Sequence, residues 1–215
     1  MSENPLKGYY LTRVYTQDGN PFQTVMDLVR EEAAALCKRV TPNRRVGGAV
    51  EEADQQIAYI DARVGVEDWA RESAKAVGVE IKKEHPIYFT LTAEPETSAP
   101  GRKVISIPAE NIDLSCCSFT YGDSFNNSPK ASPAAPPGKP TTAIPDSLHG
   151  TVFNAVQMKK VVEKYGVPGI YEKGQNYIEV QMWARPPLNI LNDVATPQAK
   201  PQPPTARKMK TFPPS

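Results

Sequence analysis

The chain has 215 residues, 40% of them hydrophobic and 23% charged, enough for one sizeable core but not two once its proline-rich stretches are set aside. A net charge of +1 excludes a surface that is basic all over, as an architectural DNA binder would need, and leaves room for a local basic cleft. No window nears about 18 consecutive apolar residues, and the opening MSENPLKGYY has no basic segment leading into an apolar run. The expectation is therefore no membrane span, no secretory signal and a cytoplasmic location.

Residues 8–15 alternate aromatic or β-branched residues with polar ones and predict a first strand. Asp18-Gly19-Asn20-Pro21 reads as a turn, with Asn20 capping a helix that opens on Pro21 and runs to about Arg39. Phe22, Val25, Met26, Val29, Ala33 and Leu36 would form its apolar stripe. Two more helices are predicted: 49–63, with Val50, Ala53, Ile57 and Ile60 on one face, and 66–77, with Trp69, Ser73, Ala76 and Val77. Gly78 stops the second.

The middle of the chain turns to short β-like runs: Val79–Ile81, Ile87–Thr92, Lys103–Ile107 and Ser115–Tyr121. Residues 126–146 hold six prolines among small polar residues, the composition of an extended surface loop. Helical periodicity returns over Thr151–Tyr165, ended by Gly166, and Tyr177–Trp183 predicts a last strand. A proline-rich tail at 196–215 carries Lys200, Arg207, Lys208 and Lys210. The whole predicts one α+β domain over 1–195, its N-terminal helices packed on a small mixed, mostly antiparallel sheet.

Chemistry-bearing motifs are sparse. Phosphate-binding glycine loops, HExxH, CxxC and GxSxG are all missing. Cys37, Cys116 and Cys117 are odd in number and lack metal-ligand spacing, so buried reduced thiols are expected. A nucleophilic Cys117 would need His85 or His149 beside it. Trp69 and Trp183 sit at core-compatible periods, although ligand stacking would also suit them.

The last predicted strand is the most pointed. Period-two alternation puts Tyr177, Glu179, Gln181 and Trp183 on one face and Ile178, Val180 and Met182 on the other. Such a strand has its back in the core and its front on a cleft, where a carboxylate framed by aromatics and an amide suits a developing cation. The plainer reading is a half-exposed strand with its polar face in water.

Three blocks then stand out in order: Tyr10-Leu11-Thr12-Arg13 with Asn20 opening a helix, Pro86-Ile87-Tyr88-Phe89-Thr90, and Glu179 within IEVQMWARPPLNIL. Together with Phe119–Ser124, they resemble the ADP-ribosyltransferase fold, in particular its DarT-type branch that modifies bases in DNA. Tyr10 stands where that branch carries a histidine, and the acidic or amide residue common two positions before the glutamate is here Tyr177. The resemblance implies an NAD-consuming transferase acting on a nucleic acid base or a protein. It implies that Tyr10, Thr12, Asn20 and Tyr88 help hold NAD, and that Glu179 bonds the nicotinamide ribose and stabilises an oxocarbenium-like transition state. It also implies an arginine on the NAD phosphates, for which Arg13, Arg44 and Arg45 are candidates. On that reading, Tyr10, Thr12, Tyr88 and Glu179 converge on one cleft. The competing reading is a non-catalytic accessory protein of phage or mobile-element type. It would have a flat surface near Glu179 and a protein partner held by the proline-rich loop and tail.

Overall fold

The structure is a computed structural model that describes residues 4–16, 19–40, 55–97, 99, 101–128, 148–168, 177–187 and 190. Its centre is a six-stranded sheet of β1 (Tyr10–Tyr15), β2 (Ile87–Thr92), β3 (Lys103–Pro108), β4 (Cys117–Tyr121), β5 (Val152–Phe153) and β6 (Ile178–Met182). The spatial order is β3-β1-β2-β6-β4-β5. The α+β class is as the sequence predicts, but every neighbouring pair is antiparallel rather than mixed.

Alternation sorts the sheet into two faces. Leu11, Phe89, Leu91, Phe119, Ile178, Val180 and Met182 join Met158, Val161 and Val162 of helix α4 (Ala155–Tyr165) in the main core. Asn154 caps α4 through its side chain, which accepts from the Gln157 N–H, while the Gln157 side chain accepts from the Asn154 N–H. The opposite face carries Thr12, Tyr88, Ser118, Thr120, Glu179, Gln181 and Trp183. Helix α2 (Gln55–Ala76) lies on that side, with Ala70 and Ala74 packed against Trp183 and Val152.

Several local expectations shift. Instead of starting at Pro21, helix α1 begins nine residues later and spans Arg30–Val40. Asn20 Oδ1 accepts from the Phe22 N–H, which makes a turn, and Val25–Asp27 follows as one 3₁₀ turn. Leu28 is then extended, with φ −98° and ψ 156°, so the chain restarts at Arg30 and leaves Val29 exposed. The predicted helices 49–63 and 66–77 are one helix from Gln55, continuous through Gly65. Its buried stripe is Gln56, Tyr59, Ile60, Arg63, Val66, Glu67, Ala70 and Ala74, not the Trp69, Ser73 and Ala76 line. Gly78 does end it, at φ +84°, a conformation open to glycine. Val79–Ile81 is not a strand, although Glu80 N–H bonds Ser115 C=O and Lys82 N–H bonds Trp183 C=O.

Strand β4 starts two residues later than predicted, after a 3₁₀ turn at Leu114–Cys116, and Ser124–Asn127 forms a one-turn helix, α3. Arg44, Arg45, most of the proline-rich loop and the whole tail lie outside the described residues. Among the described residues no helix is long and apolar enough to cross a membrane.

Candidate functional site

Strands β1 and β2 pair over only three residues, from Tyr10 opposite Thr92 to Thr12 opposite Thr90. Beyond Thr12, β1 continues to Tyr15 paired with β3 alone, and the first part of β2 pairs with β6 alone. The sheet therefore opens between them. Phe22 packs against Phe89, with ring centroids 6.5 Å apart, and Arg13 donates from Nη2 to the Gln23 carbonyl at 2.8 Å. A cavity of about 350 Å³ lies at the opening, lined by Thr12, Arg13, Val14, Tyr88, Phe89, Thr90, Tyr177 and Glu179.

Glu179 is 6% exposed and Gln181 fully buried, so the face with the carboxylate is not the half-wet surface of the plainer reading. Helix α2 keeps water off it. What holds the polar groups there is a directed chain of hydrogen bonds across β6 and β4. Trp183 Nε1–H donates to Ser118 Oγ at 2.8 Å, and Ser118 donates to Gln181 Oε1 at 2.9 Å. Gln181 Nε2 donates to Glu179 Oε1 at 2.9 Å and to Thr120 Oγ1 at 3.1 Å. With Oε1 accepting from Ser118 and Nε2 donating to both Glu179 and Thr120, the Gln181 amide has one orientation.

Burial pushes the Glu179 carboxyl up to about 7, helped by nearby Asp123 and opposed by Arg63. A buried carboxylate is raised because the low-dielectric surroundings disfavour its charged form. Ser124 is buried beside this cluster, and its hydroxyl, close to the carboxyl, works against the rise. Tyr177, at the head of β6, is likewise raised by burial and by the charges of Glu179 and Asp123.

Helix α2 adds the remaining charges. Arg63 lies over the Tyr88 ring, 4.1 Å from its centroid, and contacts Glu67 Oε1 at 3.3 Å. The Tyr88 hydroxyl donates to the same oxygen at 2.9 Å, and His85 Nδ1 lies 2.8 Å from Glu67 Oε2. Arg63 and Glu67 did not figure among the predicted site residues. Their i, i+4 spacing is visible, but the predicted break between residues 63 and 66 falls between them and hides the shared face.

Of the predicted residues, Thr12, Arg13, Tyr88 and Glu179 meet at the cavity. Tyr10 sits on the same face of β1 but does not line it, and Asn20 is exposed in its own turn. The Thr12 hydroxyl already bonds Thr92 at 2.9 Å and Ser106 at 2.8 Å. Among the described residues the buried Arg13 Nη1 has no partner, and burial lowers the Arg13 pKa to about 10 against the pull of Asp27.

Other sites read less well. A larger cavity of about 750 Å³ is lined by Lys82, Lys83, His85, Arg185, Asp27 and Asp113 among others. Its lysines are already paired, Lys83 with Asp27 and Lys82 with Glu80 and Asp113. A Cys117 nucleophile served by His85 fails on geometry and charge. Cys117 is fully buried, its thiol is raised by burial, its sulfur contact is the Asp113 carbonyl, and His85 is engaged by Glu67. All three cysteines are free thiols, and Trp183 is a core residue. Among the described residues no cluster of side chains could hold a metal ion. Comparison with known proteins finds no matching family model, no similar curated protein and no similar solved structure.

Proposed function

We propose that this protein is an ADP-ribosyltransferase that takes NAD as its substrate and passes ADP-ribose to a nucleic acid base or a protein side chain. The observation that carries this reading is the meeting of Thr12, Tyr88 and Glu179, from three distant blocks of sequence, at one cavity where the sheet opens. The competing partner-binding reading expects a flat surface there.

In the reaction the bond between the ribose C1′ and the nicotinamide nitrogen breaks, and its electron pair leaves with nicotinamide. A nucleophilic nitrogen or oxygen of the acceptor bonds C1′ and releases a proton. Positive charge builds on the ribose ring in between. Deprotonated Glu179, held by Gln181 in a buried site, faces that charge as a fixed, preorganised anion. Tyr88 supplies an aromatic wall. Arg13 supplies a buried Nη1 with no acceptor among the described residues, a donor suited to a phosphate oxygen. A volume of about 350 Å³ is at the low end of the roughly 300–1,000 Å³ of ligand pockets, so it suits the nicotinamide–ribose end of NAD rather than the whole molecule.

The test is release of nicotinamide from NAD by the purified chain. The wild-type protein is expected to release it, with Glu179→Ala slower by about 10²–10³-fold, the range seen on removing one preorganised electrostatic group. Because the neutral acid cannot stabilise a cation, the wild-type rate falls as pH drops through about 7. Neither binding nor release at millimolar NAD would set the transferase aside in favour of a partner-binding protein.

A further inference from the structure

We propose that Glu67 is a positioning residue that engages the Arg63 guanidinium and the Tyr88 phenol, and so keeps the Glu179 carboxyl at the cavity wall free of an ion pair. The inference rests on Glu179 being the working carboxyl of the transferase reading, but its geometry stands apart from NAD.

Between α2 and the sheet, three acidic groups share one buried cation with the phenols of Tyr59, Tyr88 and Tyr177 around them. Glu67 and Glu179 are 1% and 6% exposed, Asp123 is half-buried, and Arg63 is the cation. One guanidinium cannot neutralise all three in a medium of low dielectric, so the acid with the best geometry takes it. Arg63 feels the charge of both Glu179 and Glu67, and Glu67 is the one it contacts directly. It lies one helical turn from Arg63, and its two oxygens accept from Arg63, Tyr88 and His85 together. The Arg63–Tyr88 stacking contact holds the guanidinium on that side. Among the described residues Glu179 accepts from the Gln181 amide and has no ion pair, while the Ser124 hydroxyl and the charge of Arg63 act on it from nearby.

Glu67 also joins the two cavities. His85 lines the larger one together with Asp27, Lys82, Lys83, Glu84, Asp113 and Arg185. Tyr88 lines the smaller one. Charge at His85 therefore bears on how strongly Glu67 draws on Arg63.

The arrangement makes two opposite predictions for the Glu179 titration, read without NAD by carbon NMR of side-chain-carboxyl-labelled glutamate. Glu67→Gln removes the competing charge and lets Arg63 turn to Glu179, so the Glu179 midpoint falls by about one pH unit, tenfold in its acid constant. His85→Gln removes a cation from Glu67 and keeps a donor. Glu67 then draws harder on Arg63, and the Glu179 midpoint rises. His85 is half-exposed, so this variant keeps the fold and decides the matter should Glu67→Gln not fold. A Glu179 midpoint unmoved by His85→Gln, or unmoved in folded Glu67→Gln protein, overturns the proposal. If wild-type protein releases nicotinamide, the pH profile of folded Glu67→Gln moves to lower pH in step. Absence of any release would remove the transferase function while leaving the titration result standing.

Discussion

At the scale of single residues, Glu179 couples function to instability. A carboxyl whose folded midpoint lies near 7 binds its proton more tightly in the folded state than in the unfolded chain, where the midpoint is near 4.5. Stability is therefore full below the unfolded value and falls as pH rises through the interval to about 7. The loss is on the order of 1–3 kcal/mol. Glu179→Gln keeps an oxygen to accept from Gln181 and removes the ionisation. Denaturant unfolding should find this variant more stable than wild type at pH 8 by about that amount, with the two alike at pH 4.5. Equal stability at both pH values would mean that Glu179 is ionised at little cost, and that its environment is wetter than the packing implies. Residues at which stability and activity pull apart mark a site more sharply than burial does.

At the scale of elements, α2 decides what the sheet can do, because it turns the polar face of β6 and β4 into an interior. Small residues make the approach possible: Ala70 and Ala74 bring the helix onto Trp183, and Trp183 anchors the hydrogen-bond chain that ends on Glu179. Gly65, inside α2, serves no packing purpose, since a Cβ there would meet nothing within 4 Å. Gly65→Ala should stabilise the protein by about 0.5–1 kcal/mol, read as a shift in denaturation midpoint at unchanged slope. A destabilised variant would show that the helix bends or breaks at that point.

The same glycine explains much of what the sequence left unread. Central strands β2 and β6 and the stop at Gly78 were legible because alternation and turn glycines are local signals. The joining of two helical segments across Gly65 was not, because it rests on packing of Tyr59, Ile60 and Val66 that no local pattern reports. The start of helix α1 departs from the predicted period for a similar reason. A good apolar period over Phe22–Leu36 was overridden by the Asn20 turn and the capped 3₁₀ turn, which leave Phe22 to pack on Phe89. For the site, Thr12, Arg13, Tyr88 and Glu179 were accessible from motif and alternation. Glu67 and Arg63 were not, since a buried ion pair on a helix looks like any surface i, i+4 pair until the helix is docked.

At the scale of the molecule, the antiparallel order β3-β1-β2-β6-β4-β5 has one consequence above others. It sets the opening blocks of the chain beside its last strand, so residues some 170 positions apart in sequence, such as Thr12 and Glu179, border one cavity. Apolar residues on one face supply the core with α4, and the other face, under α2, is reserved for polar chemistry. The short β1–β2 register leaves the sheet open at the point where the two halves of that chemistry meet.

The most direct test is a map of NAD binding on the whole chain by amide NMR. Titration with NAD should shift the amides of Thr12–Val14, Tyr88–Thr90 and Tyr177–Glu179 first and most, and Glu179→Ala should weaken the response. Shifts centred instead on the cavity between Lys82 and Pro187, or none at millimolar NAD, would contradict the assignment of this cavity to NAD.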